Sequence, residues 1–137
     1  RRRTDPLLPV RRGCLMLDGA LCAGAGMFYL VNRLWLSPAV SGPLGWFLTC
    51  YANDCFAGLA IAAWADLLLR LGRVSSIRSW RQTVPLLLAC GLVWEGLAPF
   101  WKAGAVFDPW DFLAYQAGGL AYLLVCRTAD RILKRSS

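Results

Sequence analysis

Apolar residues run along this chain in four long stretches, at about residues 14 to 36, 46 to 69, 84 to 101 and 109 to 126. Polar residues are gathered in the gaps between them and at a few isolated positions inside. Each stretch approaches the roughly 20 residues that a helix rising 1.5 Å per residue needs to cross about 30 Å of hydrocarbon. The pattern predicts an all-α protein: a four-transmembrane-helix bundle, formed as a single integral membrane domain over residues 1 to 137. Within the first stretch Asp18, Cys22, Ala25, Tyr29 and Asn32 recur at intervals of three and four, which places them on one helix face directed into the bundle.

The gaps differ in chemistry. Ser37 to Gly45 holds two Pro, two Gly and no charge, and predicts a tight turn, whereas Leu71 to Thr83 is rich in Arg and Ser. Small residues repeat at four-residue spacing inside the stretches: Gly19 with Ala23, Ala20 with Gly24, Gly58 with Ala62, Ala114 with Gly118, and Ala117 with Ala121. Such pairs let helix backbones approach closely where no hydrophobic effect drives association, so a tight bundle is expected, and a homodimer through one of these faces is equally compatible.

Composition strengthens the membrane reading. The chain is 58% hydrophobic and 17% charged, too few polar groups to cover the surface of a small soluble domain. The net charge of +7 would suit nucleic-acid binding, but the placement of the cations excludes that reading. Five Arg precede Gly13, four lie from Arg70 to Arg81, and four basic residues follow Cys126, leaving Arg33 and Lys102 elsewhere. Lys and Arg accumulate on the cytoplasmic side of short loops, so both termini and the middle loop are expected inside, in a bacterial-type plasma membrane. Trp35, Trp46, Trp101 and Trp110 then fall at the outer interface, Trp64 and Trp80 near the inner one, and Trp94 remains deep. The chain begins with Arg1, and residues upstream of it are expected.

That orientation converts sequence position into depth. Asp54 lies about 12 Å below the outer boundary, Glu95 about 9 Å, and Tyr115 and Gln116 about 9 to 10 Å, so three helices bring polar groups to one layer. Asp111, one turn above Tyr115, lines the approach from outside. Asn53 stands beside Asp54 as an orienting group, Asp18 is expected alone in the cytoplasmic half, and Asp66 is expected near a helix end within reach of the headgroups.

An ionised carboxylate in hydrocarbon costs several kcal/mol, so a deep acid must be protonated, paired, hydrated or bound to a ligand. Asp54, Glu95 and Asp111 are therefore candidates to hold a cation or metal ion, or the cationic or polar part of a ligand. The competing reading makes each a neutral acid bonded to a neighbouring helix, or paired with Arg33 or Lys102. Asp108, followed by Pro109 and Asp111, has the pattern of a helix N-cap. Pro99 leaves the Glu95 carbonyl without its usual helical partner.

Six cysteines show no C-x-x-C spacing and there is no His, so neither a structural zinc site nor a disulfide framework is implied. Without His, and with Thr49 the one Ser or Thr near the deep layer, nucleophilic catalysis lacks its usual groups. A non-enzymatic protein without a resident cofactor is expected.

In order and spacing, Asn53-Asp54, then Glu95, then Asp111, then Gln116 with Gly118-Gly119, the chain resembles the VanZ-like membrane proteins over about residues 50 to 126. Phe56 and Gly58 stand near the place of the family's His, and Ala98 and Pro99 follow Glu95 where the family has a Gln. The resemblance implies a small helical protein of the cell envelope. The expectation is an outward-facing carboxylate site made by Asn53, Asp54, Glu95, Asp111, Tyr115 and Gln116, taking a cation or a polar or cationic small molecule or lipid headgroup. A cation- or proton-coupled transporter, an enzyme on a lipid-linked substrate and a packing subunit of a membrane complex stay open beside it.

Overall fold

The computed structural model describes residues 8–97, 100 and 108–135, with side chains from 12 to 97, at 100 and from 108 to 132. Every regular element among them is helical. Helix α1 (Leu8–Val31) passes without a break into a π-helical turn (Asn32–Leu36) and a short α2 (Ser37–Ala39). The chain reverses at Val40 and Ser41. It then enters α3 (Gly42–Phe47), a second π-helical turn (Leu48–Ala52) and α4 (Asn53–Leu71). A loop of irregular backbone leads to α5 (Trp80–Leu97), and α6 (Pro109–Arg135) closes the fold.

These elements follow the four expected stretches, with three differences. The turn expected across Ser37 to Gly45 is shorter, because helix continues to Ala39 and resumes at Gly42. Two glycines make that reversal possible. Gly42 sits at φ +78, a region that side chains disfavour, and a Cβ on Gly45 would meet the Val40 carbonyl oxygen at 2.0 Å. The fourth helix runs nine residues beyond Cys126, carrying its basic end past the expected span. The third expected stretch ends in residues outside the described ones, which include Pro99, Trp101 and Lys102. By length and hydropathy, Arg12–Ala39 is the stretch among the described residues that could cross a membrane.

Helices α4 and α6 form the middle of the bundle: α4 packs on α6 along one side and on α1 along another, and α5 packs chiefly on α6. Neighbouring glycines let α6 approach a helix on each of two sides. A Cβ on Gly118 would lie 1.8 Å from the Cys55 carbonyl oxygen of α4, and one on Gly119 would lie 2.3 Å from Leu87 Cδ1 of α5. On α4, a Cβ on Gly58 would lie 2.2 Å from the Tyr115 carbonyl oxygen. The expected pairs Gly58/Ala62 and Ala114/Gly118 thus form the α4–α6 seam. The pairs on α1 do not pack within the chain, since Ala20, Ala23 and Gly24 are exposed and a Cβ on Gly19 or Gly24 would meet nothing within 4 Å.

The packing of this fold places polar groups inside and large apolar ones outside. Asp18, Asn32, Asp66, Arg70 and Thr83 are buried, whereas Met16, Met27, Leu34, Trp64, Leu92 and Leu124 are at least half exposed. The buried core itself also holds apolar side chains, Ile77, Leu87, Tyr122 and Leu123 among them.

Candidate functional site

The seam between α1 and α4 is a ladder of contacts in antiparallel order. At the end nearest the α2–α3 reversal the buried Asn32 amide donates from Nδ2 to the Leu48 carbonyl at 2.7 Å and to Asn53 Oδ1 at 2.9 Å. The two π-helical turns meet at this level, and Asn32 Oδ1 is buried with no hydrogen-bond partner among the described residues. Below it the Phe28 and Phe56 rings stack with centroids 3.8 Å apart. Deeper still, the Cys22 thiol donates to the Ala60 carbonyl at 3.6 Å. Asp18, Asp66 and Arg70 close the inner end.

On the opposite side of α4, the outer carboxylates come together. The Asp54 side chain is hydrogen-bonded to Tyr115 and to Asp111 of α6, and Glu95 of α5 acts on both Asp54 and Tyr115 through its charge. Tyr115 is buried, and its ring packs near Gly91 of α5, where a Cβ would lie 3.6 Å from Tyr115 Cδ2. Beside Tyr115 a cavity of about 500 Å³ opens between α4 and α5, walled by Ala57, Ile61, Cys90, Gly91, Val93 and Trp94. The lining of this hollow is apolar, and Tyr115 is the residue it shares with the group of acids.

Two expected members of the site point elsewhere. Asn53 follows 100° behind Asp54 on the helix, so it faces α1 and its Oδ1 is taken by Asn32. Gln116 is likewise turned away from Tyr115 and donates from Nε2 to the Val84 carbonyl of α5 at 3.3 Å. Among the described residues no group of three or more His, Cys, Asp or Glu side chains could hold a metal ion, so Asp54, Glu95 and Asp111 share a neighbourhood but do not make a metal cage. Asp108 behaves as a helix cap, its Oδ1 accepting from the Trp110 amide at 2.9 Å while the Tyr51 hydroxyl lies 3.4 Å from its Oδ2. All six cysteines are free thiols.

The inner cluster departs most from expectation. Asp18 is not alone and Asp66 does not reach a surface: they are 1% and 0% exposed and meet in one network. Asp66 accepts from Arg70 Nε at 2.9 Å and from the Ile77 amide at 2.5 Å, and lies 2.7 Å from Arg70 Nη2. The Tyr122 hydroxyl of α6 stands 2.7 Å from Asp66 Oδ2 and 2.9 Å from Asp18 Oδ1. Asp18 Oδ2 lies 3.0 Å from Arg70 Nε, but it has no hydrogen bond there, because that N–H is directed at Asp66. Three helices and the α4–α5 loop are tied by four side chains. The sequence carried one signal of this, the four-residue spacing of Asp66 and Arg70 on a helix.

Comparison of the chain with protein-family models, with curated proteins and with solved structures found no match.

Proposed function

We propose that this chain is a four-span envelope protein of the VanZ-like kind, with an outward-facing carboxylate site that takes the cationic or polar end of an amphiphilic envelope molecule. The observation that carries the reading is the meeting of Asp54, Glu95, Asp111 and Tyr115, drawn from α4, α5 and α6, beside the cavity between α4 and α5. Asp54 and Glu95 supply the negative charge, Tyr115 holds Asp54 in place, and Asp111 guards the entrance. The apolar body of the ligand lies along Ala57, Ile61 and Val93. Trp94, which lines the same cavity, is positioned to stack on a quaternary ammonium group.

Membrane residence on all four rods is supported by the large apolar residues exposed on each: Met16 and Leu34 on the first, Trp64 and Leu68 on α4, Leu92 on α5, Leu124 on α6. The basic blocks set both termini and the α4–α5 loop on the cytoplasmic side. The acid group therefore opens outward.

The test is binding of a single-chain amphiphile with a quaternary ammonium head to the protein in lipid nanodiscs, followed by Trp fluorescence. The expected result is saturable binding to the wild type, and at least a tenfold weakening in Glu95→Gln and in Asp54→Asn at equal protein levels. An amphiphile of the same chain length with a sulfate head is expected to bind at least tenfold more weakly to the wild type. Wild-type affinity in both variants would overturn the reading.

A further inference from the structure

The inner network poses a question of proton inventory that the outer site does not touch. Tyr122 has one hydroxyl proton, yet its oxygen is 2.7 Å from Asp66 Oδ2 and 2.9 Å from Asp18 Oδ1. One proton cannot complete two such bonds. If it is given to one acid, a phenolic lone pair faces the other carboxylate, and that contact repels unless a second proton lies in it. The charges agree with the count. Two ionised carboxylates against the single guanidinium of Arg70 would leave a net negative charge on groups at most 1% exposed, for Asp18 and Asp66, which is costly.

The bonding identifies which acid carries the proton. Asp66 is surrounded by donors, namely Arg70 Nε and Nη2, the Ile77 amide and the Tyr122 hydroxyl, which is the environment of an ionised carboxylate. Asp18 Oδ2 lies 3.0 Å from Arg70 Nε, an ion pair without an aligned hydrogen bond, whereas Asp66 holds aligned donors from Arg70 and from the Ile77 amide. The groups facing Asp18 are Asp66 and Arg70 from α4, Tyr122 and Cys126 from α6, and Cys22 from its own helix. Arg70 is the one cation in that set, and its single charge is shared between Asp18 and Asp66.

We infer that this network is a proton-binding site: Asp18 is a carboxylic acid donating through Oδ1–H to Tyr122 Oη, Tyr122 donates to Asp66, and Asp66 pairs with Arg70. The site takes a proton as its ligand, and α1 docks on α4 and α6 in the state that holds it. This inference does not rest on the outer site or its ligand.

Infrared spectroscopy of the full chain in lipid nanodiscs at neutral pH reads the proton directly, because a protonated carboxyl group shows a carbonyl stretch that a carboxylate lacks. The expected result is one such band lost in Asp18→Asn and retained in Asp54→Asn and Glu95→Gln. The Asn amide can donate to Tyr122 as the acid does, so Asp18→Asn is expected to fold with a wild-type unfolding midpoint. Asp66→Asn, which removes the carboxylate hydrogen-bonded to Arg70, is expected to lower that midpoint. A folded Asp18→Asn protein with every wild-type carboxyl band intact would overturn the inference. Should Asp18→Asn fail to fold, Tyr122→Phe decides the matter: removing the acceptor of the Asp18 proton moves one carbonyl band to higher frequency, and no movement would overturn the inference equally.

Discussion

Single residues in this protein act through which neighbour they face, and Asn32 shows it most simply. Its amide joins the two π-helical turns by giving one hydrogen to the Leu48 carbonyl and the other to Asn53. Both partners are acceptors, so the amide nitrogen is fixed in place and cannot exchange with the oxygen. Asn32→Ala leaves both acceptors unmet and is expected to destabilise the fold by about 1 to 3 kcal/mol. Asn32→Asp puts a third acceptor against them and is expected to cost more than Ala. Unfolding midpoints of the two variants in detergent check the order. The polar character of Asn53 was legible in the sequence, but its direction was not. Consecutive helical residues differ by 100°, and which of them faces a neighbour depends on the rotation of the helix, which packing sets.

At the scale of elements, that rotation is fixed by close approach. Gly58 and Gly118 bring the α4 and α6 backbones together, and Gly119 and Gly91 do the same between α6 and α5, where a Cβ on Gly91 would lie 2.9 Å from the Phe112 ring. Once α4 is pressed on α6 in this register, Asp54 meets Tyr115 and Asp111, and Asn53 turns to α1. Gly118→Ala places a methyl group 1.8 Å from backbone oxygen, which no rotamer change relieves, and is expected to destabilise by 3 kcal/mol or more, on the order of a severe overpacking. Gly24→Ala meets nothing within 4 Å and is expected to leave stability unchanged or slightly raised, since Ala favours helix by about 1 kcal/mol. Thermal unfolding of the two variants side by side measures the contrast. The four-residue spacing of small residues marked both positions alike in the sequence, because spacing records that a face is flat and says nothing about what lies on it.

Across the whole molecule, helix positions were largely readable, because long apolar runs bounded by basic blocks, Gly and Pro leave little freedom in where a helix begins. The two π-helical turns were not, since a single extra residue in a turn leaves no compositional mark. The inner cluster was hidden for a related reason: Asp18 and Asp66 are 48 residues apart, and only the antiparallel register of α1 against α4 brings them to one Arg. Between the Asn32–Asn53 contact and the inner cluster the α1–α4 seam holds the stacked Phe28 and Phe56 rings and the Cys22–Ala60 contact.

The central claim is that Asp54 and Glu95, from separate helices, serve one ligand together. A double-mutant cycle in affinity for the quaternary ammonium amphiphile measures this most directly, using Asp54→Asn, Glu95→Gln and the pair in nanodiscs. The account predicts that the double variant binds no more than about threefold worse than the weaker single variant, because either change already dismantles the shared site. Losses that multiply, each variant weakening binding by its own factor regardless of the other, would contradict it.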